Sequence, residues 1–198
     1  MNKNSVKMFS ANQGFDSFSF RRNLAVKERK IMIYNDVDEN SMMEALYYLY
    51  RFRSIDLKRG TKKPIDILIN SCGGKVSDGL SLISLIESMK DEGWTINTIN
   101  TGYALSMGFL ISICGTNRYC YRYSTYMLHD VSMALEGKFM SVQEEMHEIN
   151  RTRNTIKEIV LKYTNLTEND VEEIWKLKQD KNYSAKEAVE LKISDAIV

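Results

Sequence analysis

The sequence predicts an α/β fold built on a largely parallel sheet. Segments of strand character alternate with segments of helical spacing from residue 30 onward, in the order β, α, β, α, β, α, β, followed by helices. Two glycine-rich stretches, 71–79 (SCGGKVSDG) and 102–108 (GYALSMG), each follow a strand, which is where ligand chemistry gathers in such folds. Right-handed crossovers would set the helices outside the strands.

Residues 1–17 are polar and contain glycine, and read as a flexible N-terminal tail ahead of a single domain over 18–198. KIMIYNDV (30–37) alternates as a strand does. Asn40 and Ser41 offer capping groups for a helix in which Met43, Ala45, Leu46, Leu49 and Tyr50 fall near helical spacing. RSIDLKRGTKKP reads as a charged loop closed by Pro64, the only proline. IDILIN (65–70) is apolar enough for a strand covered on both faces. LSLISLIESMK continues the first glycine-rich turn as a helix, WTINTIN (94–100) is a third strand, and GFLISICG a short buried helix. RYCYRY (118–123) and STYMLH (124–129) give a strand pair or one broken strand. A long charged helix spans 141–164, with Ser141 and Glu144 as its capping box. Residues 166–177 form another helix capped by Thr167, and 184–191 a last one capped by Ser184 with Glu187.

The chain has 198 residues, 43% of them hydrophobic, which is enough for one substantial core. Its 27 basic and 26 acidic residues nearly cancel, so it lacks the basic excess of a nucleic-acid binder. It has no apolar run near the roughly 20 residues of a membrane span and no signal-peptide core, so a cytoplasmic location is expected. Cys72, Cys114 and Cys120 form no CxxC pair and read as buried thiols, and no metal constellation stands out.

Ser106, in GYALSMG, invites reading as a nucleophile at the mouth of a helix. A serine there needs a base, an orienting group and donors for an oxyanion. Of the two histidines, His147 sits in a charged helix, whereas His129 ends a strand beside a loop and can reach a serine. Many downstream acids could orient it. Asp180 is attractive because it precedes a short loop and a capped helix. Gly73 and Gly74 let the backbone approach a substrate closely.

Taken together, FRRNLAVKERKIMIYNDVDENS, ILINSCGGKVSDGLSL, TGYALSMGFLIS, YMLHD and QDKNYSAKEAVELKISDAIV resemble, in order, the motif blocks of the Clp protease proteolytic-subunit (ClpP) family, over residues 18–198. The chain looks like a divergent or phage-type member. The resemblance implies a crotonase-like fold of repeated β-β-α/β-α units with a projecting handle helix, and a serine endopeptidase in which Ser106 is nucleophile, His129 base and Asp180 the orienting acid. The backbone N–H groups of Gly74 and Met107 would form the oxyanion hole. It implies peptide and unfolded-protein substrates, no cofactor, no metal, and self-assembly into heptameric rings, stacked as a tetradecamer, with an AAA+ Clp unfoldase as partner. The segment 1–17 would line the axial entrance, and the helix at 141–164 would carry ring contacts through Val142, Met146, Ile149 and Ile156.

This chain departs from the family pattern at several places. Cys72 replaces the proline before the glycines, and Asp130 and Val131 replace the glutamine-proline after the histidine. The loop SMALEGK lacks the usual Gly-Gly. Asp66 and Leu68 stand where aromatic residues help form the unfoldase pocket, so weak coupling to a standard unfoldase is expected. Two alternatives remain open, a catalytically silent ring subunit and a crotonase-type acyl-CoA enzyme.

Overall fold

The computed structural model describes residues 17–130 and 139–198, without the side chains of 17, 18 and 139–145. Of the expected tail only Ser17 falls within it, and the loop after Asp130, including Val131 and SMALEGK, lies outside the described residues.

Helix α1 (Ser17–Asn23) runs into a π-helical turn, Leu24–Glu28. Strand β1 (Lys30–Ile33) follows, then α2 (Glu39–Arg59), β2 (Ile65–Ser71), α3 (Val76–Asp91) and β3 (Ile96–Leu105). The short α4 (Met107–Ile113) leads to β4 (Asn117–Cys120) and β5 (Thr125–Leu128). The long α5 (Phe139–Tyr163) precedes α6 (Glu168–Leu177), β6 (Lys181–Ser184), α7 (Ala185–Glu190) and β7 (Ala196–Ile197). This is the mixed α/β architecture with a parallel sheet that the sequence predicted. The strands run in the order β1-β2-β3-β4-β7, with β5 on β3 and β6 on β5. Every described pairing is parallel except β5 with β6.

The structure corrects several sequence expectations. Asp38 is the N-cap of α2, with Ser41 as its capping-box partner; Asn40 is not the cap. Its carboxylate accepts from the Ser41 N–H at 2.8 Å, and the Ser41 hydroxyl accepts from the Asp38 N–H at 3.1 Å. The carboxylate outcompetes the neighbouring amide because it also favours the positive end of the helix dipole. The supposed loop after Phe52 is helical as far as Arg59. The buried stripe of α2 is Met42, Ala45, Leu49 and Phe52, which leaves Met43, Tyr47 and Tyr50 more than half exposed. Strand β2 is covered on one face only: Ile65, Ile67 and Ile69 are buried, whereas Asp66, Leu68 and Asn70 are half-buried. On that second face the Asn97 amide donates to Asp66 at 2.8 Å, and the Asn117 amide donates to Asn97 at 2.8 Å. Strands β4 and β5 do not pair with each other. Helix α5 begins two residues before Ser141, and the side chains of Ser141, Val142 and Glu144 lie outside the described residues. Ile149 and Ile156, expected at a ring contact, are buried in their own chain, while Met146 is exposed.

The core packs α2, α3 and α4 on the covered sheet face, with Leu82, Ile86, Met89 and Trp94 fully enclosed. Each such side chain contributes about 1.5–3 kcal/mol. A clasp joins the start of the sheet to the end of α2. The Arg29 guanidinium donates to Asp56 at 2.9 Å and to the carbonyls of Lys63 and Pro64 at 3.0 Å each. Asp56 is buried and also accepts from the Lys63 N–H at 3.0 Å. Arg29 lies 4.4 Å over the ring of Phe52.

Because a buried ion pair broken on one side leaves its partner uncompensated, Asp56→Ala should lose about 3–5 kcal/mol of stability. Denaturant unfolding checks this, with Asp56→Leu/Arg29→Met expected to lose less than the single change.

Candidate active site

Three strand ends meet at one edge of the sheet. Strand β3 is ten residues long and has two partners in succession: residues 97–100 pair with β4, and 103–105 pair with β5. Because β5 is parallel to β3, both carboxyl ends arrive together. Ser106 follows the first and His129 the second. Strand β6 returns antiparallel to β5, with Leu128 opposite Lys181, so Asp180 at its start arrives at the same edge. Strand β6 was not foreseen in the sequence, although it is what carries the acid into place.

Ser106 adopts φ 53° and ψ −119°, a region that costs a non-glycine residue about 1–3 kcal/mol. The strain is held by its own N–H, which donates to the Met127 carbonyl at 2.9 Å. The turn from β3 straight into α4 projects the hydroxyl outward. His129 Nε2 stands 2.7 Å from Ser106 Oγ. His129 Nδ1 stands 3.8 Å from Asp180 Oδ1, longer than a hydrogen bond, and the Asp180 side chain is 63% exposed. Such contacts are often long in unliganded sites and tighten around substrate. His147 lies exposed on α5.

The glycine turn packs directly against this serine. A Cβ on Gly73 (φ 97°) would fall 2.6 Å from Ser106 Cβ and 2.8 Å from the Leu105 carbonyl. A Cβ on Gly74 (φ 149°) would fall 2.2 Å from the Val37 carbonyl. The turn is pinned from behind. Val37 N–H donates to Gly73 and Lys75 N–H donates to Val37, each at 2.7 Å, and the buried Ser71 hydroxyl accepts from Gly73 N–H at 3.1 Å. Met107 opens α4, so its N–H has no acceptor within the helix. Gly74, Met107, Ser106 and His129 all line one cleft of about 250 Å³. Its walls are largely apolar, from Val76, Leu110, Met127 and Ile156; Cys72, expected to be buried, is instead exposed at its rim, while Cys114 and Cys120 are buried as expected. Two other clefts, about 560 Å³ between α1 and α2 and about 390 Å³ against α6, are larger, but neither reaches Ser106 or His129.

An aromatic group supports the three strand ends from inside. Phe109 of α4 lies 6.3 Å from Tyr126 and 6.5 Å from Tyr183, which are partners across β5 and β6. Burial pushes both phenols up, Tyr183 to about 12, so both stay neutral near neutral pH. Asp130, next to the histidine, is paired with Arg153 of α5. The sequence singled out Asp130 as a departure but gave no sign of its partner, because nothing in a helical repeat marks which arginine faces inward. Among the described residues no group of His, Cys, Asp and Glu is arranged to hold a metal ion, and no helix is long and apolar enough to cross a membrane.

The sequence matches the family model for Clp protease over residues 14–198. A curated relative, the ATP-dependent Clp protease proteolytic subunit 1 of Protochlamydia amoebophila (strain UWE25), is 28% identical over 174 residues, covering 86% of this chain and 80% of its own length.

The contact between Gly73 and the serine is testable. Gly73→Ala must move either the turn or Ser106, and a displacement near 1 Å lowers rates about 100-fold. The rate of Ser106 labelling by a fluorophosphonate should fall by at least that much, with a thermal melt run alongside to separate misplacement from unfolding.

Proposed function

Because the chain belongs to the Clp protease family, we propose that it is a serine endopeptidase, the proteolytic subunit of a self-compartmentalised protease. The observation that carries this reading is the 2.7 Å contact between His129 Nε2 and Ser106 Oγ at the mouth of an apolar cleft. Ser106 Oγ attacks the scissile carbonyl carbon as His129 takes its proton. The tetrahedral oxyanion accepts hydrogen bonds from the N–H groups of Gly74 and Met107. The imidazolium then gives the proton to the departing amine, and an acyl-enzyme remains. Water, activated by the same histidine, releases the acid and restores the serine. Asp180 holds the imidazole tautomer and stabilises its charged form, closing the 3.8 Å gap when substrate is bound. This route needs no cofactor. The apolar walls favour an apolar side chain before the scissile bond.

Assembly into heptameric rings, stacked as a tetradecamer, belongs to the same proposal. It is supported by the exposed stripe of Met43, Tyr47 and Tyr50 on α2, whose spacing puts all three on one helix face. Segment 1–17 would gate the axial entrance. An AAA+ unfoldase would deliver unfolded chains, but the face that would receive it carries the Asp66, Asn97 and Asn117 side chains in a hydrogen-bonded row. An apolar partner loop would have to dehydrate that row without replacing its bonds.

Ser106→Ala should abolish cleavage of model peptides while keeping the sedimentation behaviour of an oligomer much larger than a dimer. Wild-type hydrolysis by this variant, or a monomeric mass at micromolar concentration, would contradict the proposal. Degradation of a tagged folded substrate with ATP and a standard Clp unfoldase should be slow beside free peptide hydrolysis. Rapid degradation unaffected by Asp66→Tyr would show that the polar row does not limit docking.

A further inference from the structure

Strand β5 ends at Leu128, so the ladder of backbone hydrogen bonds stops one residue short of His129. Beyond that point the next residue provides a further anchor for the backbone that carries the histidine. The Asp130 side chain is only 13% exposed and meets the Arg153 guanidinium two-pronged, Nε to Oδ1 at 2.8 Å and Nη2 to Oδ2. A forked pair of this kind fixes orientation as well as distance, which a single lysine contact would not. The guanidinium is itself held 5.7 Å over the ring of Trp175 on α6. Asp130 and Ile156 both line the cleft, and Ile156 lies one turn beyond Arg153 on α5. One helix therefore provides both a wall of the cleft and the anchor of the residue beside the base.

We infer that Asp130 and Arg153 are positioning residues, a clamp that indexes the His129 imidazole to helix α5 so that the base and the cleft wall keep one relative placement. The inference rests on the triad reading above and adds to it a dependence of base geometry on α5. A carboxylate this enclosed is costly to keep in place once its charged, forked partner is lost. Removing either partner frees the backbone of residues 129–130 to move and carries the imbalance to the imidazole. The clamp lies outside the chain of contacts from Ser106 through His129 to Asp180, so its loss should act chiefly on turnover.

The test is a mutant cycle on the full-length protein. Asp130→Asn and Arg153→Gln should each lower kcat between about 10-fold and 100-fold. KM should stay within about twofold of wild type, since it is the step and not the binding that is disturbed. Serine acylation by a fluorophosphonate should slow in the same proportion. The double variant should be no worse than the poorer single one, because the two groups act as a unit. Arg153→Lys, which keeps the charge and loses the fork, should fall between. Melting temperatures separate loss of positioning from loss of fold. Wild-type kcat in both single variants, in a protein whose Ser106→Ala form is inactive, overturns the inference and leaves the triad reading standing. Losses that multiply in the double variant, or that appear only as raised KM, overturn it as well.

Discussion

Strand β3 has two successive neighbours on the same side, and the geometry of the candidate site depends on that change of partner. Its first half is a conventional interior strand between β2 and β4. Its last three paired residues turn to β5. Had β4 continued alongside, β5 could not have delivered a histidine to the serine, and β6 would have had no strand on which to return the acid. The change of partner falls around Gly102, where the Asn70 side chain occupies the space of a missing Cβ and accepts from the Tyr103 N–H at 2.9 Å. There the register with β2 shifts: Ile69 faces Asn100 but Ser71 faces Ala104, so β3 carries two extra residues and bulges.

Around that framework the site is built by closeness. The two glycines pressed against Ser106 and Val37, and the serine's own positive φ, all follow from backbone packed closely around one hydroxyl. The strain is tolerable because well-paired elements surround it: the Ser106 N–H is bonded into β5, and the glycine turn is bonded to Val37 on both flanks. The aromatic contacts of Phe109 with Tyr126 and Tyr183 then prevent the three strand ends from separating.

Much of this could be read from the residues. Alternating strands and helices gave the fold class, and GYALSMG with a histidine at a strand end marked the pair that the structure holds at 2.7 Å. What stayed hidden depended on pairing partners. KNYS carries no apolar alternation, because β6 is a largely exposed strand whose only buried side chain is Tyr183, so its role was invisible until β5 was in place. The covered and open faces of IDILIN could not be told apart by composition, since Leu68 on the open face is as apolar as its neighbours. The helical repeat of α2 offered two apolar stripes, and only the position of the sheet decided which was buried. The cap of that helix was missed by two residues because Asp38 and Ser41 cap it jointly.

The described strands that have a single neighbour are β1, β6 and β7, and none exceeds four residues. Two of them open with lysine, Lys30 and Lys181. Short, cationic margins are poor templates for another chain's backbone. Copies of this protein are thereby steered away from continuing one another's sheets into open-ended fibres. Any contact between copies then falls to side-chain surfaces, whose shape sets whether an arrangement can close on itself.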